Sequence, residues 1–422
     1  MTYTVRDPVH GFLEFNQLEW DIINSKEFQR LRRIRQLAWT DLVYPSAMHT
    51  RFAHSLGVCH VATKLFDAIY ARDAEILRSE YGYEPAGRDR QRQIIRLAAL
   101  MHDLGHAPFS HAAEHLFPAR EGKNKRYEHE DYSVSIAVNL LKDILDSSEI
   151  NKRNLRITVE EVVSFFDPAS TSKDSLVWKD LISGQMDADR MGYLLRDGYH
   201  AGVTYGQYDL SRLIDTVCLC EDDEVGGHHV GVSEAGYHAV EGLLIARYMM
   251  FTQVYFHKTR VIYDFHFGEA LRYMLSEDSY CFPTPLPADI DRYMRWDDWR
   301  VLAALHAGEG GEHGQRIVDR NHYRLCHYTA EIPTVAEVDK FEEIVKGIPH
   351  GIPLQVREAN KSWYKLGGNE IRVKLDDGSS MPLAAMSPVV DGLKSVNQKR
   401  LYVPSEHRDD LRKAIAKMGG IS

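Results

Sequence analysis

The chain has 422 residues, a formal net charge of −10, 44% hydrophobic and 27% charged residues. That composition excludes a disordered chain, and the length is that of two domains. The acidic balance argues against nonspecific nucleic-acid binding, and no apolar run approaches the ~20 residues of a membrane span. MTYTVRDPVHG carries no basic-then-apolar leader, and five cysteines without a CxxC pair point to reduced thiols in a cytoplasmic protein.

Residues 3–15 read as short strands, with Pro8 and Gly11 marking a turn. From Leu18 to Ala38 the apolar positions Trp20, Ile22, Ile23, Phe28, Leu31, Ile34 and Leu37 follow helical spacing. Within it FQRLRRIRQL sets arginines and glutamines beside the stripe, a pattern that by itself reads as a solvated face. A second helix covers 51–70, where Arg51 and His54 are three apart and share a face. The polar stretch Glu80–Arg92, with Gly82, Pro85 and Gly87, reads as a loop.

Residues 96–117, RLAALMHDLGHAPFSHAAEHLF, organise the rest. An apolar run leads into His102-Asp103, and the next dozen residues supply His106, His111, Glu114 and His115. Gly105 and Pro108 interrupt the helix. EGKNKRYEHEDYS is a polar loop running into a helix opened by His129. Imidazole and carboxylate suit a borderline or hard divalent metal. One helix rarely encloses a metal, so His54 upstream and Asp189 downstream are the candidate partners. A lone His on an apolar helix is usually a packed core residue; the combination of a separate His, the His-Asp pair and a late Asp argues otherwise.

Between 176 and 205, Asp189, Tyr193 and Asp197 recur at four-residue spacing on one helical face, with Arg190 and Arg196 nearby. A charged surface helix is the competing reading. Asp187 faces elsewhere. Ser233–Leu275 reads as helix interrupted near Tyr255–Lys258, and Arg247, Phe251 and Tyr255 share a face that suits core packing as well as a ligand. Past Cys281 the composition changes. A Pro-rich linker precedes a charged helix Asp289–Leu305 and the loop HAGEGGEHG. Strands at 322–332, 369–380 and 399–404, a helix at 335–348 and a closing helix from Glu406 follow. The expected fold is mainly α: residues 1–280, opened by short strands and a turn over 1–16, with a smaller C-terminal α+β region at 281–422.

The order His54, His102-Asp103, Asp189 resembles the HD superfamily of metal-dependent phosphohydrolases. The words RDPVHG, FQRLRRIRQL, TRFAHSLGV, HDLGHAPFSH and DADRMGYLLRD are similar to its dNTP triphosphohydrolase branch, from about Val5 to about Lys258. The resemblance implies an HD-type helical core and one divalent ion held by His54, His102, Asp103 and Asp189. Manganese, iron, magnesium, zinc, nickel and cobalt are not distinguished. It implies an acid–base group of His106, Glu114 and His129; the family usually has Asp at the Glu114 position, one methylene shorter. Phosphate contacts fall at Arg51, His111, Arg190 and Arg247. Gln36 and Leu37 fall on the deoxyribose and base, Tyr193 and Asp197 on the sugar 3′-hydroxyl, and Tyr255 against the nucleotide. The implied reaction is hydrolysis of a dNTP to deoxynucleoside and triphosphate. Phe256 stands where the animal member of that branch has a glutamine near the base.

The resemblance also implies a homo-oligomer (dimer, tetramer or hexamer) and a regulatory nucleotide. Val5-Arg6-Asp7-Pro8, Gln29, Arg32 and Arg212 retain part of that second site, while Tyr3, Thr4, Arg6, Ser233 and Ala235 depart from it. Two rival readings are another HD nucleotide phosphohydrolase or phosphodiesterase, whose two-metal versions show further His/Asp words and a GYP motif, and a nonhydrolytic nucleotide-sensing or nucleic-acid-binding module.

Overall fold

The computed structural model describes residues 1–122, 124–170, 176–221, 227–361 and 370–419. Asp7 accepts the backbone N–H groups of Val9 and His10, and Gly11 takes φ +79°, which closes an antiparallel hairpin between Tyr3–Asp7 and Gly11–Phe15.

The continuous helix expected over 18–38 is broken. Gln17–Asn24 is capped by Asn16 and Glu19, Ser25 ends it and caps Lys26–Arg30, and one 3-10 turn, Leu31–Arg33, follows. A side chain that accepts from the next helix's N–H groups lets the chain turn without orphaning them. Ile34 is extended, and Arg35 bridges to Thr50. The arginines of this segment do not form one solvated face. Arg30 is 1% exposed and donates to the carbonyls of Leu104, His106 and Trp296, whereas Arg32 is exposed over the Phe52 ring.

Helix Arg51–Arg72 is the central strut; Pro85–Met101 and Ala188–Ala201 pack on it. The polar stretch expected as loop is helical from Pro85 onward, because proline at the first helical position loses no hydrogen bond and presets φ. The helix ends at Met101, with His102 as its cap. Gly105 then lies so close to the helix His129–Ile136 that a Cβ would sit 2.1 Å from the His129 carbonyl oxygen. Ser133 accepts the Gly105 N–H and donates to the His102 carbonyl, and the Tyr293 hydroxyl donates to the Gly105 carbonyl. Phe109 and Ser110 adopt left-handed φ values of 57° and 56°. The Phe109 N–H donates to Asp298 and its ring stacks on Trp39 at 4.3 Å, contacts that hold a conformation costly for non-glycine residues.

The helical run beyond Ser233 is interrupted where expected: Tyr237–Met250 passes through a π-helical turn, Phe251–Tyr255, before Lys258–Met274. The main apolar core continues past residue 281 through Phe282, Tyr293, Trp296 and Val301. The helix expected over 289–305 divides into Ile290–Tyr293 and Asp298–His306, and the glycine-rich stretch ends inside helix Gly311–Val318.

Two sheets complete the chain. Val217–Glu221 and His228–Ser233, not anticipated as strands, join Arg372–Lys374 and Ser380–Pro382. In the other, Val396–Val403 lies between Arg324–Tyr328 and Gln355–Lys361, antiparallel to both. Helices Val335–Lys346 and Ser405–Lys417 cover it over a small core that includes Phe341, Ile344, Leu401 and Ile415. The result is a mainly α protein with a small sheet-containing C-terminal region.

Candidate active site

His54 comes from the central helix, His102 and Asp103 from the end of Pro85–Met101, and Asp189 from the first turn of Ala188–Ala201. Their polar atoms converge. His54 Nε2 lies 2.8 Å from Asp189 Oδ1 and 3.4 Å from Asp103 Oδ2, and His102 Nε2 lies 3.3 Å from Asp103 Oδ1 and 3.8 Å from Asp189 Oδ1. His102 Nδ1 donates to the Ala99 carbonyl at 2.8 Å, which leaves Nε2 as the ligand nitrogen.

The donor set fits a divalent ion. Despite these approaches neither buried Nε2 atom makes a hydrogen bond of normal geometry, an expensive arrangement unless something else is held there, and two carboxylates supply the negative charge. Burial pulls the His54 pKa down and keeps that ring neutral. Burial opposes ionisation of Asp103, but Arg51, His102 and His106 outweigh it and hold the carboxyl well below its usual range. His102 is lowered by burial yet raised further by Asp103 and Asp189, to about 9 when no cation competes.

Beside this quartet His106, Glu114 and His129, expected as one acid–base group, form with His111 a second close set of donor atoms. Glu114 Oε1 is 2.8 Å from His129 Nδ1, 2.9 Å from His111 Nδ1 and 3.8 Å from His106 Nδ1. The longer Glu side chain reaches all three imidazoles. His129 is opposed by burial but pushed up to about 9 by Glu114, Glu130 and Asp103, so it is protonated at neutral pH. His106, 3.1 Å from Asp103 Oδ1 and stacked on His129 at 4.0 Å, is held neutral by burial and by the charges of Arg51 and His129. Two adjacent imidazoles with pKa values driven apart suit an acid and a base.

Both sets open into one cavity of about 430 Å³ that also takes in Arg51, Asp187 and Arg190. Arg51 pairs with Asp103 at 2.7 Å and donates to Ser110 Oγ at 3.0 Å. Asp187 is the N-cap of its helix, accepting the Arg190 N–H; burial raises its pKa to about 7. Lys179 also lines the cavity. No sequence signal singled it out, because a lysine on an amphipathic helix looks like any other surface charge. Ser110 was legible only through its place in HDLGHAPFSH.

The remaining candidates form a neighbouring patch. Asp197 is 1% exposed, with one carboxylate oxygen 2.7 Å from His49 Nε2 and the other accepting the Tyr255 hydroxyl at 2.7 Å. Tyr193 stands edge-on to Tyr255, centroids 6.1 Å apart. Arg247 lies over the Phe251 ring and within electrostatic reach of Tyr193 and Asp187. Gln36 donates its backbone N–H to the His49 carbonyl, and its side-chain oxygen is buried without a partner; Leu37 is in the core. His49 was missed, since a lone His before the Arg51 helix carries no pattern. The candidates for a second nucleotide site make intrachain contacts: Asp7 with Arg196, Arg6 over Phe12, Gln29 with the Ile23 carbonyl, Arg212 with the Ala235 carbonyl.

Residues 51–169 match the HD domain and residues 208–347 the HD associated region. The uncharacterized protein YwfO of Bacillus subtilis is 38% identical over 95% of this chain and 92% of its own length. The deoxynucleoside triphosphate triphosphohydrolase SAMHD1 of Mus musculus is 32% identical over 51% of this chain, and the Dictyostelium discoideum homolog 31% over 65%; this chain spans only 34% and 48% of those proteins. Among solved structures, a hypothetical protein from Aquifex aeolicus aligns with TM-score 0.78 and 29% identity over 98% of this chain and all of its own. A Bacteroides thetaiotaomicron phosphohydrolase, at 22% identity, shares the fold with TM-score 0.70 over 96% of this chain and all of its own.

Proposed function

This chain belongs to the HD-domain phosphohydrolase family, and from that premise we propose that it hydrolyses deoxynucleoside triphosphates to deoxynucleoside and triphosphate. The observation that carries the hydrolytic reading is the pair of orphaned Nε2 atoms of His54 and His102, aimed at Asp103 and Asp189 beside the His106–Glu114–His129 group. The dNTP substrate is supported by the named activity of the SAMHD1 relatives and by the polar patch of buried Gln36, Asp197 and Tyr255 with half-buried Tyr193.

His54, His102, Asp103 and Asp189 would hold a divalent ion, which would supply Lewis acidity and lower the pKa of water bound to it. The protein's own residues do the rest. Arg51, Arg190, Arg247 and His111 offset the charge of the triphosphate as it departs. Neutral His106 is placed to take a proton from the attacking water. Protonated His129, held by Glu114, is placed to give one to the 5′-oxygen that leaves the α-phosphorus. Asp197, braced by His49 and Tyr255, is placed to accept the sugar 3′-hydroxyl, and Leu37 to pack beside the sugar or base. Residues 1–280 act as the catalytic unit and 281–422 as the regulatory and oligomerising one, in a cytoplasmic homo-oligomer.

The test is chromatography of the products from a mixture of the four dNTPs and four NTPs, with metal analysis of the pure protein. Triphosphate and deoxynucleosides are the expected products. Release of single phosphates, or equal turnover of ATP and dATP, would replace this reading with a general nucleotide phosphohydrolase.

A further inference from the structure

The HD loop, residues 102–110, is held from behind by a stretch far along the chain, inside the part that matches the HD associated region. The Tyr293 hydroxyl donates to the Gly105 carbonyl at 2.6 Å. The Trp296 carbonyl accepts from Arg30, whose guanidinium also donates to the Leu104 and His106 carbonyls. Asp298, 2% exposed, completes this wall: one carboxylate oxygen accepts the Phe109 N–H at 2.7 Å and the other the Arg35 N–H at 2.8 Å. One side chain thereby ties the HD loop to the segment that leads into Gln36.

The backbone it holds is strained. Phe109 and Ser110 are consecutive non-glycine residues in the left-handed region, a conformation that favours glycine. For Phe109 the side chain has a packing reason, since its ring stacks on Trp39. Ser110 has no apolar body to bury, so the feature that distinguishes it from glycine is its hydroxyl. That group is used in both senses: it donates to the Arg35 carbonyl at 2.6 Å and accepts the Arg51 Nε–H at 3.0 Å. Arg51 in turn reaches Asp103 through Nη1 at 2.7 Å. A planar guanidinium held at both Nε and Nη1 cannot rotate, so its remaining N–H groups meet the cavity in one orientation.

We infer that Ser110 is a positioning residue for hydrolysis: its hydroxyl, carried on a strained turn that Asp298 clamps, holds Arg51 in the orientation that meets the substrate phosphate. The inference rests on the proposed role of Arg51 at the triphosphate. Ser110 acts through Arg51 and not on the substrate itself.

The experiment is a double-mutant cycle on the full-length protein loaded with manganese, comparing wild type, Ser110→Gly, Arg51→Lys and the double variant. Glycine accepts the left-handed φ and removes the hydroxyl, so the backbone has no reason to move. Lysine keeps the charge but has no fork of N–H groups to bridge Ser110 and Asp103. Ser110→Gly is expected to lower kcat/KM for dATP about tenfold in the wild-type background and to change it within about twofold beside Arg51→Lys. Bound metal per chain should stay at the wild-type level, because all four ligands remain; a merely structural role would lower metal content and activity together. If the glycine loosens the turn, Ser110→Ala, which keeps a Cβ there and lacks the same hydroxyl, carries the same cycle. Calorimetric titration of the four proteins with inorganic triphosphate reads the cycle without turnover. Absence of dATP hydrolysis by wild type would therefore count against the proposed function, while the titration still decides the role of Ser110. Equal losses in both backgrounds, a Ser110→Gly variant that changes neither kcat/KM nor triphosphate affinity, or loss of metal in step with activity would each overturn the inference.

Discussion

The HD cavity and the wall behind its loop use buried charge in opposite ways. In the HD cavity Arg51 is matched by Asp103, Asp187 lies beside Arg190, and imidazoles neutral through burial or protonated by a neighbouring carboxylate fill the space between. Such a site can hold a cation and pass protons, because burial and neighbouring charges drive the pKa values of adjacent imidazoles apart. Behind the loop, Arg30 donates to carbonyls and Asp298 accepts backbone N–H groups. Buried charge that meets the backbone fixes a conformation instead of moving protons. The number of charged groups is thus a poor guide to chemistry; their partners decide it.

The largest expected effect breaks the HD side of this comparison. Asp103→Asn should abolish metal retention and lower turnover by roughly 10³-fold or more, since it removes a ligand charge from the site that supplies the Lewis acid. Metal analysis and product chromatography on the same preparation check it. Asp103→Ala alone would seem to spare the fold, because the apolar stripe of its helix is untouched. The Arg51 pair makes it worse than that: removing one partner of a buried pair costs about 3–5 kcal/mol, so the alanine variant should also melt earlier than the asparagine one. Full activity in either would sink the HD assignment.

A smaller effect sharpens the acid–base assignment. The His129 pKa of about 9 lies above the ordinary 6.5, so its stabilising contribution is complete below about 6.5 and is lost as pH rises through about 9. Activity should therefore show an alkaline limb near 9. Glu114→Gln removes the main carboxylate that raises it, and should move that limb toward neutral pH while lowering turnover by about 10²-fold. An unmoved limb in the pH–rate profile would assign the acid elsewhere.

Smaller again is the sugar patch. Tyr255→Phe removes one of the two groups that hold Asp197 and should lower the preference for dATP over ATP by about tenfold, read as the ratio of kcat/KM values. A drop in both substrates by the same factor would mean that Tyr255 packs and does not discriminate.

The sequence by itself offered His54, His102, Asp103 and Asp189 as one candidate set, through their order in the chain and the family that this order resembles, while apolar periodicity set only which face of each flanking helix turns inward. The structure brings the polar atoms of those four residues together, and the mainly α architecture with a sheet-containing C-terminal region is the expected one. Tertiary structure alone decided the rest. Ser25 breaks a stripe that looked continuous, and Arg30, which looked solvated, instead holds three carbonyls around the His-Asp loop. The strands Val217–Glu221 and His228–Ser233 gain a partner from 140 or so residues later in the chain, as Val232 pairs with Val373. His49 and Lys179 reach the site, and Asp298 the HD loop behind it, from segments distant in sequence. Side-chain spacing encodes which face of one element turns inward; which distant element that face meets depends on packing the whole chain at once.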